Sequence, residues 1–216
     1  MNSHTIRPMG AVMAAEARHE QWERATPENW MDPPSNGWTY DQVKELSLQF
    51  DWELVDGTIM VRGMTVQWHD MVRDGILVAL RHTRRPPYAI NSERCVMLDE
   101  KTVVKPDVVV FDKRGLDPFA MECVPVETVA LAVEVVSPGS RAEDRFLKPG
   151  LFAESEIPHF WRVERGDDDL PVVHEFRRDR ETGAFLPAPE RPVHTGTLSV
   201  ESPFPVELDL RSLVEL

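Results

Sequence analysis

The stretch that decides the fold runs Lys105-Pro106-Asp107-Val108-Val109-Val110-Phe111, then Leu131-Ala132-Val133-Glu134-Val135-Val136-Ser137-Pro138, then Asp144-Arg145 and Lys148, and closes on Ile157-Pro158-His159-Phe160-Trp161. The valine-rich runs Val103–Phe111 and Val129–Val136 are short and bounded by proline and polar residues, the form of buried strands. Each carries or adjoins one carboxylate, Asp107 and Glu134. A buried charge is costly unless something pairs with it. Side chains alternate faces along a strand, so Leu131, Val133 and Val135 share one face and Ala132, Glu134 and Val136 the other. Asp107 can take the same face on a neighbouring strand. Two carboxylates so placed, with a lysine downstream, suit a hard divalent cation, which prefers oxygen ligands and one or two carboxylates plus water.

Pro106-Asp107, Glu134-Val135-Val136-Ser137, Lys148 and Ile157–Trp161 together resemble the Uma-two type restriction endonuclease domain family, a branch of the PD-(D/E)XK nuclease superfamily. Upstream, Trp52-Glu53-Leu54-Val55-Asp56-Gly57 resembles that family's hairpin, and His69 matches the histidine that opens its next helix. The resemblance spans residues 38–210. It implies a restriction-endonuclease-like core of class α+β (α/β), with a central mixed sheet flanked by helices and a β-rich C-terminal part. It also implies a metal-dependent endonuclease that hydrolyses nucleic-acid phosphodiester bonds, with DNA favoured as the substrate and Mg²⁺ or Mn²⁺ as the ion. Asp107, Glu134, Lys148 and Glu53 are the catalytic candidates. Asp107, Glu134 and the backbone carbonyl of Val135 are the metal ligands, and His69 and Ser137 are candidate substrate contacts.

The chain departs from the superfamily pattern at one point. The lysine expected two residues after Glu134 is Val136, and in the resembled family the following segment supplies it, which is Lys148 here. A long flexible lysine stem can reach the same place from another backbone position. Pro149 follows directly, and proline disfavours helix at the residue before it, so Lys148 is expected at a junction or helix entry. Plainer roles stand beside the functional ones. Glu53 can form a cross-strand ion pair, His69 can be a packed helix residue, and Ser137 can simply end a strand. Phe160 and Trp161 are expected to fill the core behind the site.

The remaining chain reads as an N-terminal appendage, residues 1–37, with a helix over Ala11–Arg24, followed by one nuclease-like domain over residues 38–216. Thr39 caps a helix running to Gln49, and Asp56-Gly57 turns a hairpin over residues 52–62. A second amphipathic helix covers residues 66–81, with Met71, Ile76, Val78 and Leu80 apolar. Strands are expected at 88–97, 102–111 and 129–137, a helical segment at 141–156, and β structure from His159 onward. Intermixed strands and helices give the α+β class independently.

Composition sets further limits. The 216 residues suffice for a sizeable core, and no apolar run is long enough to span a membrane. The net charge of −13 does not suit a simple DNA binder. A local basic face would have to serve instead, either Arg81, Arg84 and Arg85 or Arg177, Arg178 and Arg180. Two cysteines, Cys95 and Cys123, are too few for a disulfide scaffold, so a cytoplasmic location with reduced thiols is expected. A homodimer would suit cutting two strands. The contrasting possibility is a nuclease-fold module that binds nucleic acid or protein with weak or no cleavage, which the valine at position 136 and the acidic surface favour. Relief of repulsion between neighbouring carboxylates also leads to the expectation that Asp107→Asn leaves stability unchanged or slightly raised.

Overall fold

The computed structural model describes residues 24–215. In chain order its elements are α1 (Tyr40–Val43), β1 (Trp52–Val55), β2 (Thr58–Val61), α2 (Gln67–Thr83), β3 (Tyr88–Ser92), β4 (Val96–Asp99), β5 (Thr102–Val104), β6 (Val108–Asp112), β7 (Val124–Pro125) and β8 (Val129–Val135). There follow a π-helical turn (Glu143–Leu147), α3 (Lys148–Glu154), β9 (His159–Arg165), β10 (Pro171–Arg178), β11 (Phe185–Pro187), β12 (Val193–Thr195), β13 (Thr197–Val200), β14 (Val206–Asp209) and a 3₁₀ turn (Leu210–Val214). The class is α+β, as expected. No described helix is long and apolar enough to cross a membrane. The helix expected over Ala11–Arg24 lies outside the described residues, apart from its last residue.

The structure divides into two compact units, one reaching Val61 and including Asp99–Val103, the other comprising Arg62–Leu98 and the chain from Val104 onward. In the first unit, β1 and β2 form an antiparallel hairpin that pairs Glu53 with Met60 and Leu54 with Ile59. Asp56 (φ +46) and Gly57 (φ +71) form its turn, a backbone that Asp-Gly accepts readily. Trp38 is fully buried there, its indole N–H donating to the Trp30 carbonyl. The expected helix to Gln49 shrinks to α1. Only Val43 and Leu46 find cover and Phe50 is exposed, so no second buried turn supports continuation.

The second unit is built on a mixed sheet of order β11-β10-β9-β8-β6-β3, with β12 also on β10. Strand β8 pairs antiparallel with β6 and parallel with β9. One face carries Val108, Val110, Leu131, Val133, Val135, Trp161 and Val163, which pack against Val72, Ile76 and Leu80 of α2. Those three recur every four residues, the stripe by which an amphipathic helix buries itself. Each such side chain contributes about 1.5–3 kcal/mol by leaving water. Val78, expected among the apolar residues of this helix, instead faces solvent at 50 % exposure. Gly75 is where α2 meets the 3₁₀ turn: a Cβ there would lie 2.5 Å from Leu213 Cδ2. On the opposite face Phe160 stacks with Phe176 and packs against Phe152 of α3.

Two expected strands are each divided. The 102–111 strand breaks at Lys105-Pro106-Asp107, because proline has no N–H for the ladder. The 88–97 strand breaks at Glu93, which takes φ +48 and donates its N–H to the Asp107 carbonyl at 3.2 Å. Both breaks fall beside Asp107. The expectation of reduced thiols is also overturned. Cys95 and Cys123 form a disulfide with a Cα–Cα distance of 4.9 Å. The parallel pairing of Val96 with Val124 sets the two cysteines side by side, although they stand far apart in sequence.

Candidate active site

Asp107 immediately precedes β6. The register pairs Val108 with Val133, so Asp107 and Glu134 each adjoin the last pair of the β6–β8 ladder. Asp107 thus stands at the entry to β6, and Glu134 lies within the neighbouring strand β8. Both are buried.

Each Asp107 oxygen has partners. Oδ2 accepts the Val135 backbone N–H at 2.7 Å and faces His69 Nε2 at 3.2 Å. Oδ1 faces Arg62 Nη2 at 3.5 Å. Burial by itself would raise the Asp107 pKa. The His69 hydrogen bond and charge, the Lys148 charge and the Val135 N–H outweigh it, and the carboxyl is held below its ordinary range.

His69 lies in the first turn of α2 and is 2 % exposed. Its Nδ1 faces Asp70 Oδ1 at 3.2 Å while Nε2 faces Asp107. A ring with a carboxylate at each nitrogen is fully satisfied only as the imidazolium, which donates twice. Burial opposes that charge, but Asp107 and Asp70 together outweigh it and raise the His69 pKa. The histidine therefore orients Asp107.

Lys148 arrives from the far side of the sequence gap. Its ammonium stands 3.0 Å from Glu134 Oε1 and 3.8 Å from Asp144 Oδ1, and it is buried. It stands where the π-helical turn hands over to α3, at the helix entry the sequence suggested. Lys148 is helical (φ −60, ψ −43), and its N–H bonds the Glu143 carbonyl in π-helical fashion. Pro149 has no N–H to continue the ordinary ladder, and a π-helical turn accommodates such an interruption within one continuous helix. That turn carries Asp144, one helical step before Lys148 and 2 % exposed, whose carboxylate accepts from Ser140 Oγ. Ser140 Oγ is in turn 2.8 Å from Ser137 Oγ. Ser137 is thereby tied to the lysine through two hydrogen-bonded side chains.

Glu53 is buried on β1 in the first unit. Val135 contributes its N–H to Asp107. The site also includes two residues the sequence did not single out for a role, Arg62 and Asp144. Asp144 was detectable, since an acid four residues before a lysine on a helix pairs with it. Arg62 carries no local signal. Its guanidinium reaches Glu93 at 3.4 Å as well as Asp107. With three cationic groups around it, Asp107 is not a carboxylate relieved by losing its charge, which corrects the expectation for Asp107→Asn.

Of the two expected basic patches, Arg81 donates to the Ile90 carbonyl. Arg177 pairs with Glu175 and Glu190, and Arg178 bonds the Ala153 carbonyl and Glu156. These arginines fasten neighbouring elements.

The donor set suits a small hard cation in part. Among the described residues no three His, Cys, Asp or Glu side chains form a metal cage. Two carboxylates completed by water and substrate oxygens are nevertheless the usual provision for Mg²⁺.

The pattern of the family described as "Uma2: Putative restriction endonuclease" matches residues 39–211, and the chain belongs to that family. Among solved structures, a "putative nuclease belonging to DUF820" from Anabaena variabilis ATCC 29413 is similar, with a TM-score of 0.59 and 14 % identity. The match covers 81 % of this chain and 96 % of that one, and it extends to the fold alone. No curated protein matches the chain.

Proposed function

We propose that this chain is a metal-dependent endonuclease that hydrolyses phosphodiester bonds in nucleic acid, DNA foremost, with Asp107, Glu134 and the Val135 carbonyl holding Mg²⁺ or Mn²⁺. Two buried carboxylates at neighbouring strands, with the Lys148 ammonium 3.0 Å from one of them, carry this reading. When bound, the ion polarises the phosphate and lowers the pKa of coordinated water.

The chain's own residues have definite tasks in this scheme. Val135 N–H and His69 hold the Asp107 carboxylate ionised and fix its rotamer. Lys148 places a cation where negative charge grows in the transition state, the interaction that usually contributes most. Asp144 steers the lysine stem from one helical turn away. His69 and Ser137 line the approach to the carboxylates. A two-fold homodimer would present one such site to each strand. The Cys95–Cys123 disulfide withdraws the thiol argument for a cytoplasmic location.

One observation favours a second reading. Lys148 at Glu134 and Arg62 near Asp107 already provide cationic partners for both carboxylates, so the fold has no electrostatic need of an ion. A nuclease-fold module that binds nucleic acid or protein without cutting would look the same here. Calorimetric titration with Mn²⁺ separates the two. The endonuclease predicts binding heat in the wild type that disappears in Asp107→Asn. Absence of heat in the wild type favours the module.

A further inference from the structure

Beside the carboxylates lies a cleft of about 150 Å³ lined by Trp68, His69, Ser137, Arg141, Arg145 and Arg165. His69 belongs to both places: it lines this cleft and touches Asp107 with Nε2. The lining holds three arginines and one acid, Glu164, in a chain whose net charge is −13. The arginines have different standing. Arg145 is paired with Glu164, which Arg162 also engages at 2.8 Å. Arg165 pairs with Asp169 at 2.9 Å and lies over the Trp68 ring. Arg141 is exposed and makes no ion pair among the described residues. The surplus of positive charge is felt nearby: burial lowers the His174 pKa, and the charges of Arg162 and Arg145 lower it further against the opposing effect of Glu164.

We propose that this cleft seats a phosphate of the nucleic-acid strand next to the one presented to Asp107 and Glu134, with Arg141 as its direct contact and Arg145 and Arg165 supplying the surrounding field. The identity of the ligand rests on the endonuclease reading. An anionic strand is what an unpaired guanidinium in a locally positive cleft can hold against the overall charge of the chain. Guanidinium suits phosphate because its donors match two oxygens at once. Successive phosphates of a strand advance about 3.4 Å along the duplex axis, so a strand lying across His69 brings neighbouring phosphates to the carboxylates and to Arg141. Of the basic patches apparent from sequence, Arg81, Arg177 and Arg178 are already engaged, and Arg84, Arg85 and Arg180 do not line this cleft.

The test is fluorescence anisotropy with a labelled DNA duplex in EDTA across a salt series, comparing wild type, Arg141→Gln and Arg180→Gln. Arg141 is exposed, so its replacement leaves the fold intact, and a thermal melt checks this. One phosphate contact contributes about 0.9 to the slope of log K against log salt. Arg141→Gln should reduce the slope by about that amount and weaken binding on the order of tenfold at low salt. Arg180→Gln should change neither. An unchanged slope in Arg141→Gln, a loss in Arg180→Gln instead, or no binding by the wild type would each overturn the assignment. A separate cleavage assay keeps the two proposals apart. If the wild type cuts nothing but Arg141→Gln lowers the slope, the endonuclease reading fails and the cleft stands. If the wild type cuts and the slope is unmoved, the reverse holds.

Discussion

Lys148 and Glu134 meet at 3.0 Å with both side chains buried, although the lysine comes from the helix after the strand rather than from the strand itself. Removing one partner of a buried pair leaves the other charge poorly compensated, which costs about 3–5 kcal/mol. Lys148→Met should therefore lower the urea-unfolding free energy of the metal-free protein by that order. A change below about 1 kcal/mol would mean that the ammonium is solvated in solution.

The substituted lysine position gives a second prediction. Val136 carries the next side chain on the Glu134 face and lines the cleft. A lysine there would occupy the position the wider superfamily uses. Lys148→Ala should abolish cleavage, and adding Val136→Lys to it should restore a measurable fraction. If the double variant folds but stays inactive while Lys148→Ala alone is active, Lys148 has no part in the chemistry.

Much of this was legible before the structure, and the limits were physical. Alternation fixed the face of Glu134, and the valine runs located β6 and β8. What local pattern could not show was anything set by distant pairing. The Cys95–Cys123 disulfide follows from β4 and β7 lying side by side. Arg62 reaches Asp107 from a loop with no motif of its own. Lys148 stands at the helix entry that Pro149 suggested, but the π-helical turn before it had no local signal. Arg177 and Arg178 resembled a basic patch because sequence shows charges without their partners.

The His69–Asp107 contact should show a pH dependence. A histidine whose pKa is raised in the folded state stabilises most below its unfolded value of about 6.5, and that contribution disappears as pH rises through the folded value. The melting-temperature advantage of the metal-free wild type over His69→Gln should therefore be greatest near pH 6 and shrink toward pH 9. A gap that widens with pH would show that the ring is neutral when folded.

Reduction offers an independent check on the fold. The disulfide closes a loop separated by 28 residues, for which chain entropy gives about 3–4 kcal/mol. Cys95→Ser should lower stability by up to that amount, and a reductant should destabilise the wild type but not the variant. Identical melts with and without reductant would indicate free thiols.

Asp107→Asn bears on the site most directly. The amide keeps a carbonyl to accept the Val135 N–H but loses the charge facing His69, Arg62 and Lys148. Hydrogen bonds to charged groups contribute about 1.5–3 kcal/mol, so the variant should be less stable by roughly 1–3 kcal/mol yet folded. The decisive measurement is cleavage of plasmid and single-stranded DNA by wild type and by this variant, each with Mg²⁺ or Mn²⁺, below the variant's melting temperature. The wild type should cut and the folded variant should not. Equal cutting by both would contradict the assignment of Asp107 and Glu134 as the active site.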